Sequence, residues 1–441
     1  MKKIIKFILA MVLVLFVFLS SSCRDSSVDE EILRDAENFH IADSRPERYY
    51  GNFIPETAFA PTDTSDFEGI FSPLYNFNNN RFYFPVRRDN HTLMLSYVNL
   101  QTGEHRLICP DPFCRHVENE CRYLGFQRTF FARENVIYTH AITGDFGGDI
   151  NYIRWSILRV DLNNDRIDVV YQAEEDFTKQ DVDIAFIYGN TLYFFVTTRI
   201  TAENERTATS VRTLKRLDIS NHQIIETKSF PNEYVNIAAR LMYIDEGKFY
   251  FDSLTHIFTT DFNLENKKVI YNFNPNEFLE NYFFDKNTGE FFFLVRNVRN
   301  HIGSIYVYAN DELKRLNMPH ENIFSFQLTN SKIYYSPFNP EFLGISPRDD
   351  LINDRIYNFT GGRIYVTDRH IREEYELVFE ACRNFLIGTE VCRYVIIGDY
   401  LYFAHMQFIS NGRYVWFSSA HYLEKVRINM RENTIRYLGF D

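Results

Sequence analysis

From about residue 70 onward, apolar and polar positions alternate at period two in short stretches, which predicts half-buried β-strands. A turn signal followed by an aromatic-rich stretch recurs seven times. It runs Asn79-Asn80-Arg81-Phe82-Tyr83-Phe84, Glu134-Asn135-Val136-Ile137-Tyr138, Gly189-Asn190-Thr191-Leu192-Tyr193-Phe194 and Gly247-Lys248-Phe249-Tyr250-Phe251. It continues as Gly289-Glu290-Phe291-Phe292-Phe293, Asn330-Ser331-Lys332-Ile333-Tyr334-Tyr335 and Gly398-Asp399-Tyr400-Leu401-Tyr402-Phe403. A second apolar element follows most copies, clearest in Leu158-Arg159-Val160-Asp161-Leu162 and Leu214-Lys215-Arg216-Leu217-Asp218-Ile219. A polar turn and a last short strand complete each unit. No long amphipathic helix is predicted, because the apolar spacing never settles at 3.6.

Each unit therefore reads as four strands, with Gly, Asn and Asp at the first turn suiting left-handed hairpin dihedrals. Repeated four-stranded units of this length predict an all-β fold, a seven-bladed β-propeller of four-stranded antiparallel blades, over residues 67–441. A β-sandwich is the competing architecture, since its hairpins alternate in the same way. In a meander, the turns after the first and third strands share one face of the ring. The loops after the second strand and the links between units share the other. The long segments Ala141–Trp155, Thr197–Thr213, Pro337–Gly362 and Met406–His421 all fall on that second face. Phe146, Trp155 and Trp416 lie in them and are candidates for a recognition surface, or for covers over blade edges.

Composition sharpens this picture. Of 441 residues, 17% are aromatic, with Phe at 43 and Tyr at 29, and such residues favour pleated, half-buried strands. The formal net charge of −12 argues against nucleic acid as a partner, because phosphate contacts require a basic surface.

The N-terminus carries a different pattern. Lys2, Lys3 and Lys6 precede an apolar run from Phe7 to Leu19, then Ser20-Ser21-Ser22-Cys23. That run is too short for a bilayer span and has the length of a secretory core segment. Small residues before a cysteine resemble the bacterial lipobox, although Ser20 stands where that family has an aliphatic residue. The resemblance implies a lipoprotein signal peptide over 1–22, lipidation of Cys23 and a membrane-anchored, extracytoplasmic protein. Residues 23–66 are polar and without periodicity, and are expected to be a tether.

Five further cysteines remain. Cys109, Cys114 and Cys121, with His116 between them, are spaced C-x4-C-x-H-x4-C. Three thiolates and an imidazole suit a closed, structural Zn2+ site of the Cys3His type. Cys382 and Cys392 would then pair as a disulfide. A disulfide inside the first loop, with one thiol left over, accounts for the same count.

The Gly-Asn-x-Leu-Tyr-Phe and Leu-x-Arg-x-Asp-Leu elements resemble bacterial extracytoplasmic propellers of the low-density-lipoprotein-receptor and TolB-like types. Ile257–Asp261 and Ile364–Asp368 are similar to the Tyr-Trp-Thr-Asp blade motif, without its Trp. The Cys-Pro-Asp-Pro-x-Cys-x-His loop resembles one in uncharacterised propeller lipoproteins of Gram-positive anaerobes. These likenesses imply fold and location and say nothing of activity.

No zinc-protease helix, nucleophile elbow or phosphate-cradling glycine loop is present in the sequence. The expected function is therefore non-enzymatic binding of an envelope glycan, peptide or partner protein, with no organic cofactor. A glycan-active hydrolase or lyase on the same scaffold is the alternative, since its carboxylates need not be close in sequence. A metal or redox sensor built on the Cys/His loop is a third.

Overall fold

All seven aromatic positions of the repeat lie on the second strand of a sheet, and the turn before them reverses the chain. At Gly189 (φ 56°) and Gly247 (φ 81°) that reversal uses left-handed backbone, which a Cβ would strain. The computed structural model of the protein describes residues 54–55, 61–73, 77–78, 80–87, 93–109, 130–143, 153–200, 209–297, 299, 303–337, 363–370, 374–380, 395–406, 408–410, 415–417, 423–431 and 434–437, with side-chain burial assigned for most of them. They belong to one compact unit, Asn52–Asp441. Among them no helix is long and apolar enough to cross a membrane.

Among the described residues six sheets of four or more strands are wholly antiparallel, each built on a four-strand meander in chain order. Blade I comprises Phe77–Asn78, Arg81–Arg87, Leu93–Asn99 and His105–Leu107. Blade II comprises Phe130–Arg133, Val136–Thr143, Arg154–Asp161 and Arg166–Gln172. Blade III comprises Gln180–Tyr188, Thr191–Ile200, Thr209–Asp218 and Gln223–Ser229. Blade IV comprises Arg240–Asp245, Lys248–Asp252, His256–Asp261 and Lys268–Asn272. Blade V comprises Glu277–Asp285, Glu290–Asn297, Gly303–Ala309 and Glu312–Arg315, with Ile70–Phe71 added beside its first strand. Blade VI comprises Ile323–Leu328, Lys332–Pro337, Arg363–Asp368 and Tyr375–Glu380.

The last sheet differs in kind. It takes Val395–Ile397, Tyr400–Met406, Leu423–Asn429 and Thr434–Tyr437 from the C-terminal end, and Ile54–Pro55 from the N-terminal end. Ile54 pairs with Thr434 and Pro55 with Ile435 in parallel register. The expectation of seven blades, all four-stranded and antiparallel, is therefore corrected to six antiparallel blades and one mixed closing sheet. The aromatic repeat reports hairpins, and a hairpin looks the same in either kind of sheet. It carries no trace of a strand arriving from far upstream to cover an open edge.

The hydrophobic clusters show that the sheets form a closed ring. One cluster joins blades II and III, with Ile157 and Val182. A second runs through blades III, IV and V, with Phe195, Phe251 and Phe293. A third joins blades V and VI, with Phe292 and Tyr335. Gln327 of blade VI then donates to the Ile396 carbonyl at 2.6 Å and accepts from the Ile396 amide at 2.7 Å. The remaining cluster unites blades I and II with the closing sheet, through Tyr83, Ile137, Val395 and Ile397. A sandwich of two stacked sheets would not close in this way, and the fold is a β-propeller.

Residues 61–73 form a strap across the face of the ring that carries the turns after first strands. Residues 61–66, read from the sequence as the end of a tether, are hydrogen-bonded to the blades. The Thr62 amide donates to the Leu100 carbonyl at 2.8 Å, and the Ser331 hydroxyl donates to Asp66 at 3.2 Å. Further on, Asn287 and Asn330 donate to the Glu68 carbonyl at 3.0 and 3.2 Å. The Lys286 amide donates to the Gly69 carbonyl at 2.9 Å. Phe71 then packs against aromatics from the innermost strands, 4.9 Å from Phe186 and 5.3 Å from Tyr243.

Candidate functional site

The first strand of each blade runs from the loop face to the turn face, and its chemistry changes along the way. At the turn-face end stand Phe131, Phe186, Tyr243 and Phe284. Phe131 and Phe186 meet at 5.9 Å and Tyr243 stacks on Phe284 at 3.9 Å. Toward the loop-face end of blades III to V the first strands carry charged residues among the apolar ones.

Blade III supplies Asp181 and Asp183. Gln180, Val182, Ile184 and Phe186 are buried, so the two acids at alternate positions share the other, half-buried side of the strand. Arg212 stands near the start of the third strand of the same blade. Its guanidinium lies 3.8 Å from the centre of the Phe195 ring, and its Nη1 donates to the Ala239 carbonyl at 2.6 Å. Blade IV supplies Arg240 and Asp252, directly opposite each other across two strands. Their contact is bidentate, with Nε to Oδ1 at 3.1 Å and Nη2 to Oδ2 at 2.5 Å. Blade V supplies Glu280 and Arg296, joined at 2.5 Å, with the Arg296 guanidinium 4.2 Å from the Phe324 ring centre.

These charges act on one another. Burial raises the Asp183 carboxyl above the usual range; the Arg212 charge opposes this, Asp181 adds to it and Arg240 opposes it. Burial likewise lowers Arg212, against the pull of Asp183 and Asp181. Arg240 is raised, chiefly by its bond to Asp252. The result is a polar cluster combining a tightly paired Arg–Asp fork with a carboxyl whose charged form is disfavoured. The Nε of Arg212 is buried without a hydrogen-bond partner among the described residues. Such an arrangement can donate and accept hydrogen bonds with a polar ligand at the mouth of the ring.

Arg212 also fastens the link between its blade and the next. Arg154 in blade II reaches the Ala173 carbonyl at 3.4 Å, much as Arg212 reaches Ala239. An arginine near the start of the third strand thus holds the following link in two successive blades.

Of the residues singled out by sequence, Cys109 follows blade I, half-buried against the cluster that closes the ring. Cys23, Cys114, His116, Cys121, Phe146, Cys382 and Cys392 lie outside the described residues. Among the described residues no group of three or more His, Cys, Asp or Glu side chains is placed to hold a metal. Trp155 lies within the third strand of blade II, half-buried, with its ring 5.6 Å from that of His140. Trp416 lies on Val415–Phe417, opposite Ile409 in a two-stranded ribbon. Sequence reasoning did not single out Asp181, Asp183, Arg212, Arg240 or Asp252. The available signal was the pair of acids at i and i+2 inside an otherwise apolar strand, which is costly unless partnered.

No family model matches the chain, and no curated protein matches it. Solved structures do. An oligogalacturonate lyase in complex with manganese aligns at 12% identity, covering 74% of this chain and 82% of that one, with a TM-score of 0.45. An acylaminoacyl peptidase in complex with Z-Gly-Gly-Phe-chloromethyl ketone aligns at 11% identity, covering 86% and 54%, with a TM-score of 0.48. The β-propeller domain of the trilobed protease from Pyrococcus furiosus aligns at 10% identity, covering 82% and 96%, with a TM-score of 0.44. Likeness at this level carries nothing about what this chain binds or does; the propeller assignment stands on sheet order and ring closure.

Proposed function

We propose that the protein is a non-enzymatic binding propeller, lipid-anchored through Cys23 on the extracytoplasmic face of the membrane, which holds an envelope glycan, peptide or partner protein at its loop face. The observation that carries this reading is the axial asymmetry of the ring. Phe71 and the aromatics around it fill the turn-face end, while Asp183, Arg212, Arg240 and Asp252 gather at the loop-face end. In this reading Cys109, Cys114, His116 and Cys121 hold a structural Zn2+ and Cys382 pairs with Cys392. Elemental analysis with thiol counting tests that part: one equivalent of zinc supports it, and no metal with a reactive thiol refutes it.

The binding claim is tested on a glycan and peptide array with the parent protein and the Arg240→Ala variant. Ligands retained by the parent and weakened about tenfold or more by the substitution support it, since a lost charge-assisted contact is worth roughly 1.5–3 kcal/mol. Retention unaffected by Arg240→Ala contradicts it.

One observation favours a second reading, a glycan-active hydrolase or lyase. A carboxyl whose charged form is disfavoured by burial, standing beside a second acid as Asp183 stands beside Asp181, is the usual starting point for general acid catalysis. Release of shortened products from an array ligand, abolished by Asp183→Asn, would select it.

A further inference from the structure

On the opposite face, where the strap passes over blade VI and the closing sheet, lies a cavity of about 390 Å3. Phe67 borders it with a narrow exposed edge, and Ile396 lies fully buried behind it. Most of its charged groups are already satisfied by neighbours. The Arg431 Nε donates to Asp399 at 2.8 Å. Asp63 accepts the Ser65 amide at 2.9 Å and the Ser65 hydroxyl at 2.8 Å.

Three groups remain. The Asp66 carboxylate receives only the Ser331 hydroxyl, at 3.2 and 3.3 Å, among the described residues. Lys332 lines the cavity and is exposed, with no ion pair among the described residues. Tyr334 lines it too; the residue is 7% exposed, and its hydroxyl, which makes no hydrogen bond among the described residues, reaches the cavity surface. A carboxylate, an ammonium and a buried phenol around one cavity are complementary to a molecule that carries both charges itself.

We propose that this cavity binds a zwitterion of amino-acid size, with its ammonium on Asp66 and the Tyr334 hydroxyl, its carboxylate on Lys332 and its side chain directed along the exposed edge of Phe67. The cavity falls within the range of small-ligand pockets, which begins at about 300 Å3. Burial, then the charges of Asp66 and Asp399, push the Tyr334 phenol up to about 12, so it stays neutral and can accept an ammonium hydrogen. Because the site lies on the face opposite the loops, it stands independently of any ligand there.

Titration calorimetry on the full chain tests the proposal with L-leucine, 3-methylbutylamine and 4-methylpentanoate. L-leucine is expected to bind, and the two analogues, each lacking one charge, at least about tenfold more weakly, a difference of about 1.4 kcal/mol. Lys332→Met and Asp66→Asn are each expected to weaken L-leucine by a similar factor. Lys332 is exposed, so that variant keeps the fold even if Asp66→Asn loosens the strap. No binding of L-leucine up to about 10 mM, equal binding of the three compounds, or unchanged affinity in a folded Lys332→Met variant overturns the proposal.

Discussion

The ring of Phe71 meets that of Phe186 edge to face, 4.9 Å between centroids, although the two lie on the strap and on blade III. That contact makes the strap part of the propeller core, because Phe186 in turn packs on Tyr243 at 5.4 Å. Phe71→Ala removes about half of a buried aromatic side chain's worth of packing and is expected to cost about 2 kcal/mol. Phe71→Leu keeps most of the apolar contact and is expected to cost less. Denaturant midpoints of the two variants against the parent check this.

Blades V and VI are tied by a buried ion pair. Arg369 and Asp285 have side-chain exposures of 3% and 2% and meet at 2.6 Å, and the same nitrogen reaches Glu290 at 2.5 Å. Arg369→Ala strands one fully buried carboxylate and one partly buried, and is expected to cost about 3–5 kcal/mol. Arg369→Lys keeps the charge but places its single ammonium on a shorter stem than the nitrogen that reaches both acids, and is expected to recover only part of that.

The same pair sets an acid limit. Burial pushes the Asp285 carboxyl up, but the Arg369 contact, the Asn287 amide and the Thr288 hydroxyl outweigh it and leave it below the usual range. A carboxyl depressed in the folded state binds fewer protons there than in the unfolded state. Its contribution is complete above the unfolded value, about 3.9, and is lost as pH falls through the folded one. Asp285→Asn is expected to flatten the stability profile in that window.

His140 acts at milder pH. It is 7% exposed, and burial lowers it from 6.5 to about 4. The unfolded chain therefore takes up a proton between about 6.5 and about 4 that the folded chain refuses. Stability is complete above 6.5 and falls by about 3 kcal/mol as pH drops to 4. His140→Phe is expected to remove this slope, which urea titrations at pH 7.5 and pH 5 would detect.

Gly303 opens the third strand of blade V against the first strand of blade VI. A Cβ there would stand 1.9 Å from the Ile323 carbonyl oxygen. Gly303→Ala forces the two blades apart and is expected to cost about 1–3 kcal/mol. Gly189→Ala meets no atom within 4 Å and suffers only backbone strain at φ 56°, an expected loss of about 1 kcal/mol.

The second strands were legible because their signal is local. Tyr83 through Tyr402 each follow a turn residue within a few positions, and hairpin chemistry needs nothing farther away. The strap and the parallel strand Ile54–Pro55 were not legible. Their partners, Phe284 for Phe71 and Thr434 for Ile54, are hundreds of residues distant, and two-residue strands have no periodicity to read. The charged mouth was hidden for the same reason. Asp183, Arg212, Arg240 and Asp252 are unremarkable in sequence and are brought together only by strand order. Trp155 was expected in a long loop, but the third strand of blade II begins one residue before it.

Hydrogen exchange by mass spectrometry on peptides spanning residues 61–73 tests the account most directly. The amides of Thr62, Phe67 and Glu68, hydrogen-bonded in the strap, are predicted to exchange slowly, as do those in the central strands of blade V. Exchange of this segment at the rate of an unstructured chain would show the turn face open, and would contradict the one-ended ring on which the loop-face site depends.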